Sequence, residues 1–239
     1  MKTAFTDVEG VKVPIWVSTF EEIHGVTLCC ITLNEEKEIK SFLEHHRPYV
    51  NSIVMVDGGS NDRTVEYATA MVDEIQIIPF TGHYSNQANR ALEMARTDWI
   101  LLADCDERFD KKFLENLKTF IDQEEFDCYS LPRENFINGQ PDVEMPWENQ
   151  DRLFRSYCRR VRPVHGEVVG YKNKKDLTIE SGNIIHNSKS IIRHRQRNQK
   201  YTVFELKYKN EIGEPGSQLK DSFEAKYPSL KHSNFMVNS

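Results

Sequence analysis

Trp99-Ile-Leu-Leu-Ala-Asp-Cys-Asp-Glu107 is the stretch that decides the fold. Trp99 to Ala103 are apolar and suit a strand buried on both faces, and they run straight into the carboxylates of Asp104 and Asp106. A buried strand ending in acid puts charge at a sheet edge, where open α/β folds bind ligands. Two carboxylates about 4 Å apart repel by roughly 4 kcal/mol at an effective dielectric near 20. If a diphosphate also binds there, a divalent cation must sit between the charges. The spacing alone is weak: with 14 Asp in 239 residues, chance yields about one Asp-x-Asp. Aspartates after strands also form turns and caps. The surrounding chain carries the weight.

Upstream, strands and helices alternate. Val26–Leu33 reads as a strand ending in Asn34-Glu35-Glu36, followed by a polar helix over 36–49. Ile53–Val56 is a second buried strand ending at Asp57-Gly-Gly-Ser60, with a helix over 62–71. A strand over 74–79 and an amphipathic helix over 85–95 lead into Trp99, and a helix over 111–121 follows. This alternation predicts an α/β fold, a Rossmann-like, mostly parallel sheet with helices on both faces. Asn34, Glu35, Asp57, Asp104 and Asp106 then share one rim. There is no Walker loop and no Gly-x-Gly-x-x-Gly, so any phosphate site is not glycine-cradled.

Downstream, residues 133–150 are rich in Asn, Gly, Pro and acid and read as a long flexible loop, a candidate lid. Short strands are expected at Asp151–Arg155, near Val164–Val169 and at Ile184–His186, and a basic helix over 188–208. The chain thus divides into a lead-in over 1–25, whose strand near Val11–Val17 is kept to an edge by Pro14, two halves over 26–132 and 133–209, and a tail over 210–239.

Apolar residues make up 38% and charged residues 28%, as in soluble globular proteins. No apolar run approaches the roughly 20 residues of a membrane span, and the first ten residues lack the apolar core of a secretory signal, so the expected location is cytoplasmic. Five cysteines, odd in number and without Cys-x-x-Cys spacing, read as reduced and buried. Net charge is −6, yet residues 152–209 hold fifteen basic against four acidic residues. That segment suits an anionic partner: sugar-nucleotide phosphates, or an anionic lipid acceptor at the inner face of a membrane. It lacks interleaved aromatics for base stacking, so nucleic acid is not expected.

Taken in order, these motifs resemble the inverting family 2 glycosyltransferases of the GT-A fold, over roughly residues 26–205. Thr32–Glu36 is similar to the family's first-strand motif and Val56–Thr64 to its second, while Ser85–Leu92 followed by Asp98–Glu107 matches the helix and metal-binding strand. Gln150–Arg155, His165–Glu167 and Ile185–Asn187 look like the subgroup acting in lipopolysaccharide core assembly. Two positions depart: Gly58 stands where many members carry a second Asp, and Ala88 where many carry Arg or Lys before Asn89. The resemblance implies a nucleotide-sugar-binding half over 26–132 and a smaller acceptor-side region over 133–209. It also implies metal-dependent, inverting transfer of a hexosyl group from a nucleoside-diphosphate sugar to a hydroxyl of a glycan or glycolipid.

By the same resemblance, Asn34, Glu35, Asp57, Asn89 and Asp104 face the nucleotide sugar. Arg152 and Arg155, with Lys189 and Arg193, face its diphosphate or an anionic acceptor. Asp106, assisted by Asp104 and His186, holds Mn²⁺ or Mg²⁺. Glu167 is the leading candidate for the base that takes the acceptor proton, with Asp151 second. Two other readings stand beside this one: a non-catalytic sugar- or lipid-binding module on the same fold, and a sugar-1-phosphate nucleotidylyltransferase. The latter needs a Gly-rich, Arg-containing loop after the first strand, which Thr32–Glu36 does not offer.

Overall fold

The structure is a computed structural model and describes residues 2–8, 11–17, 23–162 and 166–188. The elements are β1 (Lys2–Val8), β2 (Val11–Val17), β3 (Ile23–Thr32), α1 (Ile39–His46), β4 (Ser52–Asp57), α2 (Thr64–Thr69), β5 (Glu74–Ile77), α3 (Tyr84–Met94) and β6 (Thr97–Asp104). There follow β7 (Glu107–Phe109), α4 (Lys111–Glu115), α5 (Leu117–Ile121), β8 (Cys128–Ile137), β9 (Gln140–Pro141), β10 (Trp147–Arg155), β11 (Arg159–Val161), β12 (Glu167–Val169), β13 (Lys174–Asp176) and β14 (Ile184–Ser188). The expected basic helix over 188–208, His165, Lys189, Arg193 and the tail lie, wholly or nearly so, outside the described residues.

One sheet runs β5-β4-β3-β6-β10-β8-β14-β7, with β9 and β13 also pairing with β8. β5, β4, β3 and β6 are parallel; β10 joins β6 antiparallel. Strand alternation decides the layers. Leu28, Cys30, Ile53, Met55, Trp99, Leu101 and Ala103 face α1, α2, α4 and α5. Cys29, Val54, Val56, Ile100 and Leu102 face α3. β6 therefore has apolar residues on both faces because both faces are covered, and burying each large one contributes about 1.5–3 kcal/mol. The expected mostly parallel α/β sheet with helices on both faces is the fold observed. All five cysteines are buried and free. No helix of the described residues is long and apolar enough to cross a membrane. β1 and β2 form a separate antiparallel ribbon that places Phe5 opposite Pro14.

Two expectations need correction. The helix over 111–121 is two short helices, α4 and α5, broken at Asn116. Its side-chain amide donates to the Lys112 carbonyl (2.8 Å), a local bond that competes with the helical ladder. The expected loop over 133–150 is instead largely the facing arms of the β8–β10 hairpin. Glu148 sits directly opposite Arg133 and is ion-paired to it, so charges that suggested a loop are a cross-strand pair. Asn135 pins the return: its backbone N–H donates to the Pro146 carbonyl (3.0 Å) and its amide to the Met145 carbonyl (2.9 Å).

Candidate active site

The carboxyl ends of β3, β4 and β6 lie on adjacent rungs, Thr32 beside Asp57 and Ile31 beside Asp104. An open cavity of about 660 Å³ lies at this rim, with Glu35, Asp104, Asp106, Asp151, Glu167 and His186 among its lining residues. With Arg152, seven residues singled out in the sequence thus meet at one place.

The centre forms because β14 slides between β8 and β7. That insertion puts His186 on the rungs of Asn135 and Glu107, and brings its Nε2 to 3.3 Å from Asp106 Oδ2, 80 residues away in sequence. On its other side, Nδ1 lies 2.8 Å from Asn135 Oδ1. The Asn135 amide nitrogen is already committed to Met145, so Oδ1 accepts and Nδ1 carries the hydrogen. A neutral ring then turns the Nε2 lone pair toward a carboxylate. Two acceptors facing each other at 3.3 Å require a positive charge between them, either a proton on the ring or a metal cation.

The residues fit the cation. Two ligands each about 2.1 Å from an ion at a right angle sit roughly 3 Å apart. Asp106 and His186 would supply two such donors, and Asn135 would be the outer partner that orients the imidazole. Among the described residues no ready-made group of three or more His, Cys, Asp or Glu is arranged to hold a metal. The remaining positions are then left to donor oxygens and water.

Beneath this pair is a buried ion network. Glu107 is fully buried; its Oε1 accepts from Arg152 Nη2 (2.6 Å) and Arg133 Nη1 (2.8 Å). Burial pushes the Glu107 carboxyl up, but the Arg152 and Arg133 charges outweigh it and hold the group at about 2. Arg152 Nη2 also reaches Asp104 Oδ2 (3.1 Å). The protein enclosing Asp104, with the charges of Glu107 and Asp106, pushes its carboxyl upward. A β-bulge between Asp151 and Leu153 turns Arg152 inward. Arg152 lines the cavity yet is only 2% exposed, and it pairs with Glu107 and Asp104.

Four other candidates are held by neighbouring groups. Asp57 is wholly buried: Oδ1 accepts from the N–H groups of Gly59 (2.9 Å) and Ser60 (2.7 Å), Oδ2 from the hydroxyls of Thr32 (2.9 Å) and Ser60 (2.6 Å). It builds the turn. Asn34, at φ +58°, accepts from the Asn61 N–H (2.9 Å) and ties the first rim loop to the second. Asn89 clamps β11 to α3, its amide donating to the Arg160 carbonyl (2.9 Å) and accepting from the Arg160 N–H (2.8 Å). Arg155 pairs with Asp98 (2.9 Å) and lies over the Trp99 ring, on the rung of Trp99. That rung is five residues from Asp104, roughly 16 Å at strand spacing.

Glu35 does line the cavity. Of the candidate bases, Asp151 is held by Lys174 (3.4 Å) rather than by its neighbour Arg152, and Glu167 pairs with Arg162 (3.3 Å) with 57% of its side chain exposed. Gly58 has a structural reason: a Cβ there would lie 3.3 Å from Phe80 Cβ and from the Thr32 carbonyl. Sequence reading missed Glu107, Arg133, Asn135 and Arg160. Glu107 had a signal, since a third acid beside Asp104 and Asp106 in a buried run demands buried cations.

Comparison with known proteins agrees with this fold. The family model described as Glycosyl transferase family 2 matches residues 27–181. A TPR repeat-containing protein of Synechococcus elongatus is 30% identical over 142 residues, 59% of this chain and 34% of that protein. An uncharacterized glycosyltransferase of Rickettsia bellii is 27% identical over 60% of this chain and 52% of its own. The chain therefore spans between about a third and a half of the length of these two relatives. Among solved structures, S. aureus TarS 1-349 in complex with UDP-GlcNAc aligns over 69% of this chain and 59% of its own, with TM-score 0.50 and 15% identity, a likeness of fold.

Proposed function

This chain belongs to glycosyl transferase family 2, and from that premise we propose that it transfers a sugar from a nucleoside-diphosphate donor to a hydroxyl of a glycan or glycolipid, with inversion and with a divalent cation. The observation that carries the reading is the Asp106–His186 pair, 3.3 Å apart at the rim of the cavity beside Asp104. An imidazole beside a carboxylate favours Mn²⁺ over Mg²⁺, which keeps to oxygen ligands. When bound, the cation neutralises charge growing on the leaving diphosphate.

The chain's own residues do the rest. Asp106 and His186 hold the cation, Asn135 keeps the imidazole hydrogen on Nδ1, and the Glu107–Arg152 pair steadies Asp104. Glu35 lines the cavity at the end of β3, where it is available to the ribose or base. The acceptor hydroxyl needs a base on the face opposite the leaving group. Glu167 and Asp151 both line the cavity, and Glu167, exposed at the start of β12, needs only to leave Arg162. Lipopolysaccharide-core assembly is the acceptor class the motif resemblance favours, and a cytoplasmic site at a membrane face accords with the basic segment over 152–209.

The test is a panel of sugar nucleotides incubated with and without Mn²⁺, reading release of nucleoside diphosphate. One donor should be hydrolysed slowly and only with the metal, and Asp106→Asn should abolish that turnover with the fold intact. A folded protein that binds no sugar nucleotide in either condition would instead be the non-catalytic module. Glu167→Gln should lose transfer yet keep donor affinity; if it turns over normally while Asp151→Asn does not, Asp151 is the base.

A further inference from the structure

The cavity is lined by four basic side chains, and three are answered by carboxylates: Arg133 by Glu107 and Glu148, Arg152 by Glu107 and Asp104, Lys174 by Asp151. Arg160 is different. Its Nη2 donates to the Gly166 carbonyl (2.6 Å), and its Nε, like those of Arg133 and Arg152, is enclosed without a hydrogen-bond partner, but no carboxylate among the described residues forms an ion pair with it. Burial, reinforced by the nearby Arg152 charge, pushes the guanidinium down to about 10. The group is also built into place. Asn89 clamps its backbone from α3, and Gly166 lets the chain close on it, since a Cβ there would lie 2.9 Å from both Nε and Nη2.

A partly buried cation with an unspent donor is costly to keep, and a guanidinium fork matches phosphate and carboxylate oxygens. We propose that Arg160 is the cavity's oxyanion receptor, completed by an anionic group of the substrate. The group is either the donor's diphosphate, reaching across from the Asp104–Asp106 side, or a carboxylate on the transferred or accepting sugar. This rests on the cavity being the transferase site proposed above.

The experiment is calorimetric titration of the full chain with Mn²⁺, using nucleoside diphosphates, the parent nucleosides, inorganic diphosphate and a free uronic acid. Arg160→Gln should weaken one anion class by about tenfold or more and leave the nucleoside unaffected. Loss confined to the diphosphates identifies the leaving group as the ligand, and loss confined to the uronic acid identifies an acidic sugar. Gly166→Ala, which keeps the charge but crowds the fork, should weaken the same class, so a poorly folding Arg160→Gln does not end the test. Affinities within twofold of wild type for every anion in both variants overturn the assignment. A wild-type protein that binds inorganic diphosphate through Arg160 but no nucleotide would sink the transferase reading and leave the receptor standing.

Discussion

Asp106 and His186 show what residue-level reading can and cannot reach. That Asp106 follows a buried strand is plain from Trp99–Glu107; that His186 meets it depends on which strand slots beside β7, a long-range choice no local pattern encodes. Asp57 shows a complementary point: an acid followed by Gly-Gly-Ser can serve as a ligand or as the acceptor for its own turn, and four donors within reach hold it in the turn. Two outcomes belong at this scale. Glu107→Gln removes the buried carboxylate that Arg133 and Arg152 share and leaves them Glu148 and Asp104, so denaturant unfolding should show a loss of about 3 kcal/mol. Arg155→Leu, far from the rim, should cost about 1 kcal/mol of stability and leave donor affinity unchanged by calorimetry.

Among elements, the parallel half was legible because period and punctuation agree: apolar runs, then Asn-Glu, Asp-Gly-Gly or Asp-x-Asp, then a polar helix. The β8–β10 hairpin was not. Its polar residues mimic a loop until each is matched across the ladder, Arg133 with Glu148 and Asn135 with the Pro146 carbonyl. Asn135 serves both the hairpin and the imidazole. Asn135→Ala should therefore lower Mn²⁺-dependent nucleotide affinity by about 10- to 100-fold. Metal-independent nucleotide binding should stay unchanged, which separates a positioning role from general loosening.

The whole molecule should be sensitive to acid. His46 is buried in α1 beside Phe42 and Phe109, and burial pushes its ring down to about 3. The unfolded ring takes up its proton near pH 6.5 and the folded one near 3. Stability is therefore complete above about 6.5 and is lost as pH falls through that window. Glu107, held at about 2, has the same sign: its contribution is present above about 4.5 and fades below. Urea midpoints measured from pH 7 to 4 should fall by a few kcal/mol equivalent, on the order of the His46 shift. A His46→Gln variant should flatten the slope between 6.5 and 4. Sequence charge gave no hint of this, because His46 is one of eight histidines and only packing singles it out.

β14, the last described strand, enters the sheet between two strands already passed by the chain. Synthesis thus delivers Asp106 long before its partner. If the pair holds the cation as proposed, a nascent chain can have a nearly finished sheet and still be inert until the final insertion. Refolding followed by Mn²⁺-dependent nucleotide binding should lag refolding followed by tryptophan fluorescence, since Trp99 is buried by strands that come earlier. The fold in this way withholds chemistry from its own incomplete copies.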